Sequence, residues 1–238
     1  MSNIDVLKRG IEELGLDLNE GEEGKFLKYK ELLKEWNEKI NITTIIENRE
    51  IDIKHFLDSL TCLPLGLFDG GKSIIDIGTG GGFPGIPLKI MKEDLDVTLL
   101  DSLNKRIVFL DEVIKNLNLE GIRAIHGRAE ELSRNKEYRE QYDIAVARAV
   151  ASLDTLTEYC LPFVKPGGHF VAMKGPDMEE ELNSSMNAIN TLGGKLVESK
   201  EVKIPESDIR HSLVVIKKVN KTAKKYPRGG GKPRKKPL

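Results

Sequence analysis

Residues 73–88 read SIIDIGTGGGFPGIPL. Ser73 to Ile77 are mostly β-branched and too few for a helical repeat, which predicts a short strand ending at Ile77. Glycines follow at 78, 80, 81, 82 and 85. They let the backbone turn sharply and approach a ligand, and Pro84 or Pro87 suits the first turn of a helix. The expected unit is therefore strand, ligand-binding turn and helix. Gly80, Gly82 and Gly85 also satisfy GxGxxG, which alone suggests a dinucleotide and keeps a nicotinamide-dependent oxidoreductase open. Asp76 argues the other way, since a carboxylate beside the loop repels a diphosphate and attracts an ammonium group. The loop also lacks the phosphate-gripping lysine of a Walker sequence. Asp101, 21 residues beyond Gly80, is placed to accept hydrogen bonds from both ribose hydroxyls of any nucleoside cofactor.

Outward from this stretch the chain alternates. SIIDI, DVTLL, IRAI, YDIAVA, HFVAM, KLVES and HSLVVIK begin 16 to 27 residues apart, the interval that a strand and its covering helix need. Consecutive apolar pairs such as Ile74–Ile75 and Leu99–Leu100 suit parallel strands covered on both faces. Leu103, Ile107, Leu110, Val113, Ile114 and Leu117 form one helical stripe after the second strand. A later helix is expected from Asp177, with Asp177 as cap and Glu180 reaching back, until Gly193 and Gly194 end it. The connection from Glu198 to His211 has no room for a crossover helix, so the last strand is expected antiparallel.

Before the loop, Ile4, Leu7, Ile11 and Leu14, then Phe26, Tyr29, Leu32, Leu33, Trp36 and Ile40, predict two amphipathic helices. Cys62 and Cys160 stand far apart without a CxxC or a histidine cluster, which predicts reduced core residues and no metal site. His55, His126, His169 and His211 show no ligand spacing and read as structural. No apolar run approaches the length of a membrane span, so the chain is expected in the cytoplasm. The formal net charge of −1 hides an asymmetry: ten of 37 basic residues and no acidic one lie in 217–238, leaving 27 against 38 elsewhere. An acidic body at −11 carrying a +10 tail suggests a polyanion partner. GGGKPRKKPL within that tail is expected to lack fixed structure.

Beyond these readings, DIGTGGGFPG resembles motif I of class I S-adenosylmethionine methyltransferases. WNEKINIT (36–43), HFLDSL (55–60), DIGTGGGFPGIPL (76–88), DSLNKRIVFL (101–110), HGRAEEL (126–132), ARAVASL (147–153), PGG (166–168), MKG (173–175) and the terminal KKYPRGGGKPRKKPL together resemble the RsmG (GidB) family. Gly81 departs from it slightly, alanine being commoner there. The resemblance implies a mostly parallel seven-stranded class I (Rossmann-like) α/β sheet with helices on both faces. It implies a helical extension over 1–60, a cofactor-binding methyltransferase domain over 61–219 and a basic flexible tail over 220–238. The implied activity is methyl transfer from S-adenosylmethionine to N7 of a guanine in 16S (small-subunit) ribosomal RNA, free or in a ribosomal particle. Implied cofactor contacts are Gly78, Phe83, Ala129, Glu130 and Arg148, joined by Asp76, Gly80 and Asp101 from the residue-level reading.

Guanine N7 carries a lone pair and no proton, so no catalytic base is expected, only alignment and a suitable electrostatic setting. Arg148, at a strand's carboxyl end, is suited to a cofactor carboxylate or an RNA phosphate. Lys105 and Arg106 open a helix whose dipole does not favour them, and read as phosphate contacts. Lys174 and Asn41 are further candidates for orienting the target nucleotide.

Overall fold

The computed structural model describes residues 5–148 and 151–238. Ile4 of the amino-terminal stripe, and Ala149 and Val150 within ARAVASL, lie outside them. The chain opens with α1 (Asp5–Glu13), α2 (Glu20–Ile40) and α3 (Asn48–Ile51), then a π-helical stretch at Asp52–Leu57 and α4 (Asp58–Leu60). Next come β1 (Ser73–Ile77), α5 (Gly85–Met91), β2 (Asp96–Asp101), α6 (Asn104–Asn116), β3 (Ile122–His126), α7 (Ala129–Leu132) and β4 (Tyr142–Arg148). The chain ends with α8 (Leu153–Cys160), β5 (Val164–Lys174), α9 (Glu179–Thr191), β6 (Gly194–Lys203), β7 (Arg210–Lys218) and α10 (Lys232–Lys235).

All seven β-rich runs are strands of one sheet, ordered β3-β2-β1-β4-β5-β7-β6. Only β7 runs against the others, pairing antiparallel with both β5 and β6. Period-two alternation divides the strand side chains between two layers. Ile74, Val97, Leu99, Ile144, Val146 and Val171 enter one core with α5 and α6. Ile75, Ile77, Leu100, Ala145, Ala147 and Phe170 enter the other, beneath α8 and α9. Cys62 and Cys160 are free and buried, one in each core.

The amino-terminal helices share the first core. Asn19 and Glu22 close a reciprocal capping box at the start of α2, each bond 2.9 Å long. From there Phe26, Tyr29 and Leu33 are fully buried, and Trp36 packs on Phe109 at 5.9 Å between ring centroids. A buried Lys30–Asp52 ion pair at 2.5 Å ties α2 to the π-helical stretch. Burial pushes the Asp52 carboxyl up to about 6, against the pull of Lys30.

Two local expectations are corrected. Asp177 does not cap α9: it has φ +60°, and the helix starts at Glu179 behind Met178, with no side-chain cap bond. Glu181 instead accepts from Leu153 N at the start of α8, which ties the two helices together. The terminal segment, expected without fixed structure, follows a definite path across α8. Arg228 pairs with the buried Glu158 at 2.7 Å, Thr155 donates to the Pro233 carbonyl at 3.1 Å, and Arg139 donates to the Thr222 and Tyr226 carbonyls at 2.7 and 3.0 Å. Composition misled here because the partners of a Gly/Pro/Lys run lie on other elements.

Replacing Arg228 by Met strands the Glu158 carboxylate, whose side chain is 1% exposed. It should lower unfolding stability by about 3 kcal/mol. Denaturant unfolding checks this; an unchanged midpoint would mean that the segment is not held through this pair.

Candidate functional site

Strand order reverses between β1 and β4, and open α/β sheets bind ligands outside the carboxyl ends of strands at such a switch. Two adjoining clefts open there. One, of about 280 Å³, is walled by Gly78, Asp101, Ser102, Ala129, Glu130 and Tyr159 among others. The second, of about 400 Å³, includes Thr43, His55, Gly80, Phe83, Arg106 and Arg148 in its wall. Gly78, Asp101, Ser102 and Arg234 belong to both.

The loop between β1 and α5 is held from below and from the side. Gly78 N and Thr79 N donate to the Leu100 carbonyl at 2.8 and 3.1 Å, continuing the strand pairing one step past β1. The chain then turns at Gly78 with φ +72°, a conformation open to glycine. Asp76 Oδ2 accepts from Gly85 N at 2.8 Å and Thr79 Oγ1 at 2.7 Å. Asp101 Oδ2 accepts from Gly80 N at 2.9 Å and Arg106 Nη1 at 3.1 Å, while Asp101 Oδ1 accepts from Leu103 N at 2.9 Å. From α2, the Tyr29 hydroxyl donates to the Gly81 carbonyl. Asp76 is fully buried, with Oδ1 lacking a partner, and burial pushes its carboxyl up to about 6 despite the Thr79 and Gly85 bonds.

Arg148 organises the other wall. It donates to Asp58 Oδ2 at 2.6 Å and the Lys54 carbonyl at 3.1 Å, both from the extension, and lies 5.1 Å from the Phe83 ring centroid. Asp58 also meets His211 Nδ1 at 2.7 Å. Burial alone would raise the Asp58 carboxyl, but His211 and Arg148 outweigh it and hold it below its ordinary value. His55 stacks on Phe83 at 4.4 Å with Nδ1 3.3 Å from Arg148 Nη2 and Nε2 2.9 Å from Thr43 Oγ1. Because a guanidinium only donates, Nδ1 accepts and Nε2–H donates to Thr43. Thr43 Oγ1 also accepts from Ile45 N at 3.1 Å, so its own proton remains to be donated into the cleft. Burial, reinforced by Arg148, lowers the His55 value to about 3 and keeps the ring neutral.

A model of the family described as rRNA small subunit methyltransferase G matches residues 22–212. The chain belongs to this family. A ribosomal RNA small subunit methyltransferase G of Alkaliphilus metalliredigens (strain QYMF) is 54% identical over 98% of both chains. One of Clostridium perfringens (strain 13 / Type A) is 51% identical over the full length of both. Among solved structures, a MtNAS mutant aligns with TM-score 0.56 and 17% identity over 80% of this chain and 71% of its own. TrmN from Thermus thermophilus aligns with TM-score 0.53 and 18% identity over 71% of this chain and 53% of its own. These two likenesses concern the fold.

For this member of the methyltransferase G family, the clefts bring together Gly78, Gly80, Phe83, Asp101, Arg106, Ala129, Glu130 and Arg148 of the residues singled out from sequence. Asp76 lies beneath the loop and is in neither wall. Lys105 donates to the Ile40 carbonyl at 3.0 Å, closing the end of α2, and Arg106 reaches Asp101. Asn41 is the left-handed cap of α2, while its neighbours Ile42 and Thr43 enter the wall, held by Asn37 Oδ1 at 2.7 and 2.8 Å. Lys174 stands on the Ala151 carbonyl and Glu181, at 2.7 and 2.9 Å, outside both clefts. His55, read as structural, is a cleft residue, as are Thr43, Tyr159 and Arg234, which residue-level reading missed. HFLDSL and WNEKINIT were the available signals for the first two.

His55 also sets a pH dependence. Its folded value lies below the unfolded one, so the unfolded chain takes up a proton first, and stability is lost as pH falls below about 6.5. Replacing His55 by Gln should narrow the stability gap to the unsubstituted chain by about 1 kcal/mol per pH unit below that point. Unfolding curves of both at several pH values check it; a gap independent of pH would refute the neutral buried ring.

Proposed function

We propose that this chain transfers the methyl group of S-adenosylmethionine to N7 of a guanine in small-subunit (16S) ribosomal RNA, acting in the cytoplasm. Among the described residues, no helix is long and apolar enough to cross a membrane. The observation that carries the reading is the pair of clefts meeting over Gly78 and Asp101. A cofactor made of a nucleoside and an amino acid needs two adjoining compartments and one junction.

The residues suit that group. The buried, unpartnered Asp76 oxygen leaves negative charge under the loop, and Asp101 and Glu130 add carboxylates to the walls. Such a floor favours a sulfonium and an ammonium and disfavours a diphosphate, which weighs against the nicotinamide alternative. Asp101 would hold the ribose, Ala129 and Glu130 the adenine, Gly78 and Gly80 the methionine portion, and Arg148 the carboxylate. When bound, the cofactor supplies an electrophilic methyl group.

The chain's own residues then have three tasks. Phe83, clamped between Tyr29 at 5.5 Å, His55 at 4.4 Å and the Arg148 guanidinium, gives one cleft a rigid aromatic wall. Thr43 offers a hydroxyl proton on the same wall, matched to an acceptor such as guanine O6. Arg148 and Arg106 put positive charge at the mouth, where RNA phosphates approach. The target base must lie outside its stack to enter. No side chain is required to remove a proton, since N7 has none. The neutral His55 fits that requirement, because at about 3 it cannot serve as a base near neutral pH.

Incubation with labelled S-adenosylmethionine and small subunits from cells lacking this protein tests the reading. Label should appear on a guanine at N7; RNA binding without transfer would favour a noncatalytic RNA-binding module. The turnover rate should stay flat between about pH 7 and 9. His55 lies far below that window, burial pushes the Tyr29 and Tyr159 hydroxyls above their usual values, and Lys218, at about 8, is outside both clefts. A sigmoid rise inside the window would expose a titrating base and overturn this account.

A further inference from the structure

The junction between the two clefts is built from four residues, Gly78, Asp101, Ser102 and Arg234. Three lie at or just past the carboxyl ends of β1 and β2. The fourth arrives from the opposite end of the chain. Gly231 joins it in the wall of the smaller cleft, next to Tyr159 and Glu130.

The path that delivers Arg234 is fixed at successive points. Arg228 grips Glu158 of α8 through Nε at 3.0 Å and Nη2 at 2.7 Å, and its backbone N–H donates to the same carboxylate at 2.6 Å. The pair is charge-assisted and forked, the geometry in which an arginine is hardest to displace. Gly231 takes φ +68°, turning the chain toward the clefts at a position where a side chain would be strained. Pro233 is then buried against α8, with its carbonyl held by Thr155 Oγ1. Arg234 directly follows the last of these anchors, with Lys235 N donating to the Gly231 carbonyl at 3.2 Å just beyond it, so it has little freedom to swing away, while Lys232, Lys235 and Lys236 remain exposed.

We propose that Arg234 is a cofactor-contacting residue and that the terminal segment, through Gly231 and Arg234, is part of the wall of the cofactor site. A molecule that fills both clefts passes the junction, and so passes Arg234. The guanidinium offers planar stacking and forked donation, both suited to a nucleoside or to the carboxylate of an amino acid. The terminal basic run therefore has two jobs on two faces: exposed lysines for a polyanion, and one arginine turned to the small molecule.

This inference rests on the S-adenosylmethionine reading above. Calorimetric titration of the full chain with S-adenosylhomocysteine separates the two. The unsubstituted chain should bind; if it does not, the cofactor reading itself fails. Given binding, Arg234→Ala should weaken it by about tenfold to a hundredfold, the loss of a hydrogen-bonded charged donor. The double variant K232A/K236A should stay within about twofold, since both residues lie outside the cleft walls. Equal affinity of Arg234→Ala and the unsubstituted chain would overturn the inference alone. So would a variant that loses RNA affinity while binding S-adenosylhomocysteine normally, which would make Arg234 a phosphate contact. A lowered thermal midpoint of Arg234→Ala with unaltered affinity would mark the residue as structural and also overturn the inference.

Discussion

A glycine-rich loop holds one shape only if its backbone N–H groups have fixed acceptors, and here two carboxylates join the Leu100 and Thr79 carbonyls in supplying them. Asp76 takes the N–H of Gly85 and the hydroxyl of Thr79, and Asp101 takes the N–H of Gly80. Both are buried, so these bonds form with little competition from water. The arrangement explains why a loop with so little side-chain mass can be a floor. It also changes the part played by the acids: they are fasteners first, and whatever charge they present to a ligand comes from atoms left over. For Asp101 each oxygen already holds at least one donor, whereas Asp76 keeps one oxygen unpartnered.

The amino-terminal helices complete this constraint. Tyr29 of α2 holds the Gly81 carbonyl, and Asn37 sets Ile42 and Thr43 against the loop. Arg148, extending from the end of β4, would be a half-buried charge without a partner if Asp58 and the Lys54 carbonyl were absent. His211 on β7 meets the other oxygen of Asp58, and Thr61 meets the far nitrogen of His211 at 2.9 Å. One connected polar network thus joins the extension, the centre of the sheet and its antiparallel strand. The extension is part of the site's wall, so an Asp58 change would reach the cleft through Arg148.

Legibility from sequence followed the range of the interactions. The strands could be located because their alternation and their glycine punctuation are local, and the antiparallel β7 because a short connection excludes a crossover. Asp101 was legible because a strand's end sits where this fold puts ligands, whereas Gly78, Phe83 and Ala129 came with the family resemblance; all four lie in the cleft walls. The part His55 plays was not legible, since its neutral state depends on burial and on Arg148, which follows it by 93 positions. Nor was the course of the terminal segment: a run of Gly, Pro and Lys carries no periodicity, and Glu158, its principal anchor, is an ordinary acidic residue of α8 until Arg228 is seen beside it. Lys105 and Lys174 show the converse, where a basic residue near the right place lies outside the cleft walls and is already engaged by a carbonyl.

The charges are layered in depth. Asp76, Asp101 and Glu130 lie low in the site, and Arg106, Arg148 and Arg234 stand in the walls around them. This order suits a reaction in which a cation sits deep and a polyanion arrives from above. It also suits the direction in which charge moves. Transfer to N7 takes positive charge from sulfur and delivers it to a purine, so the deep carboxylates stabilise the start and the anionic RNA backbone stabilises the end. Neither state asks the protein for a proton. A buried imidazole at about 3 is then an aromatic spacer that orients Thr43 and braces Phe83, its basicity removed first by burial and further by the same Arg148 that holds it in place.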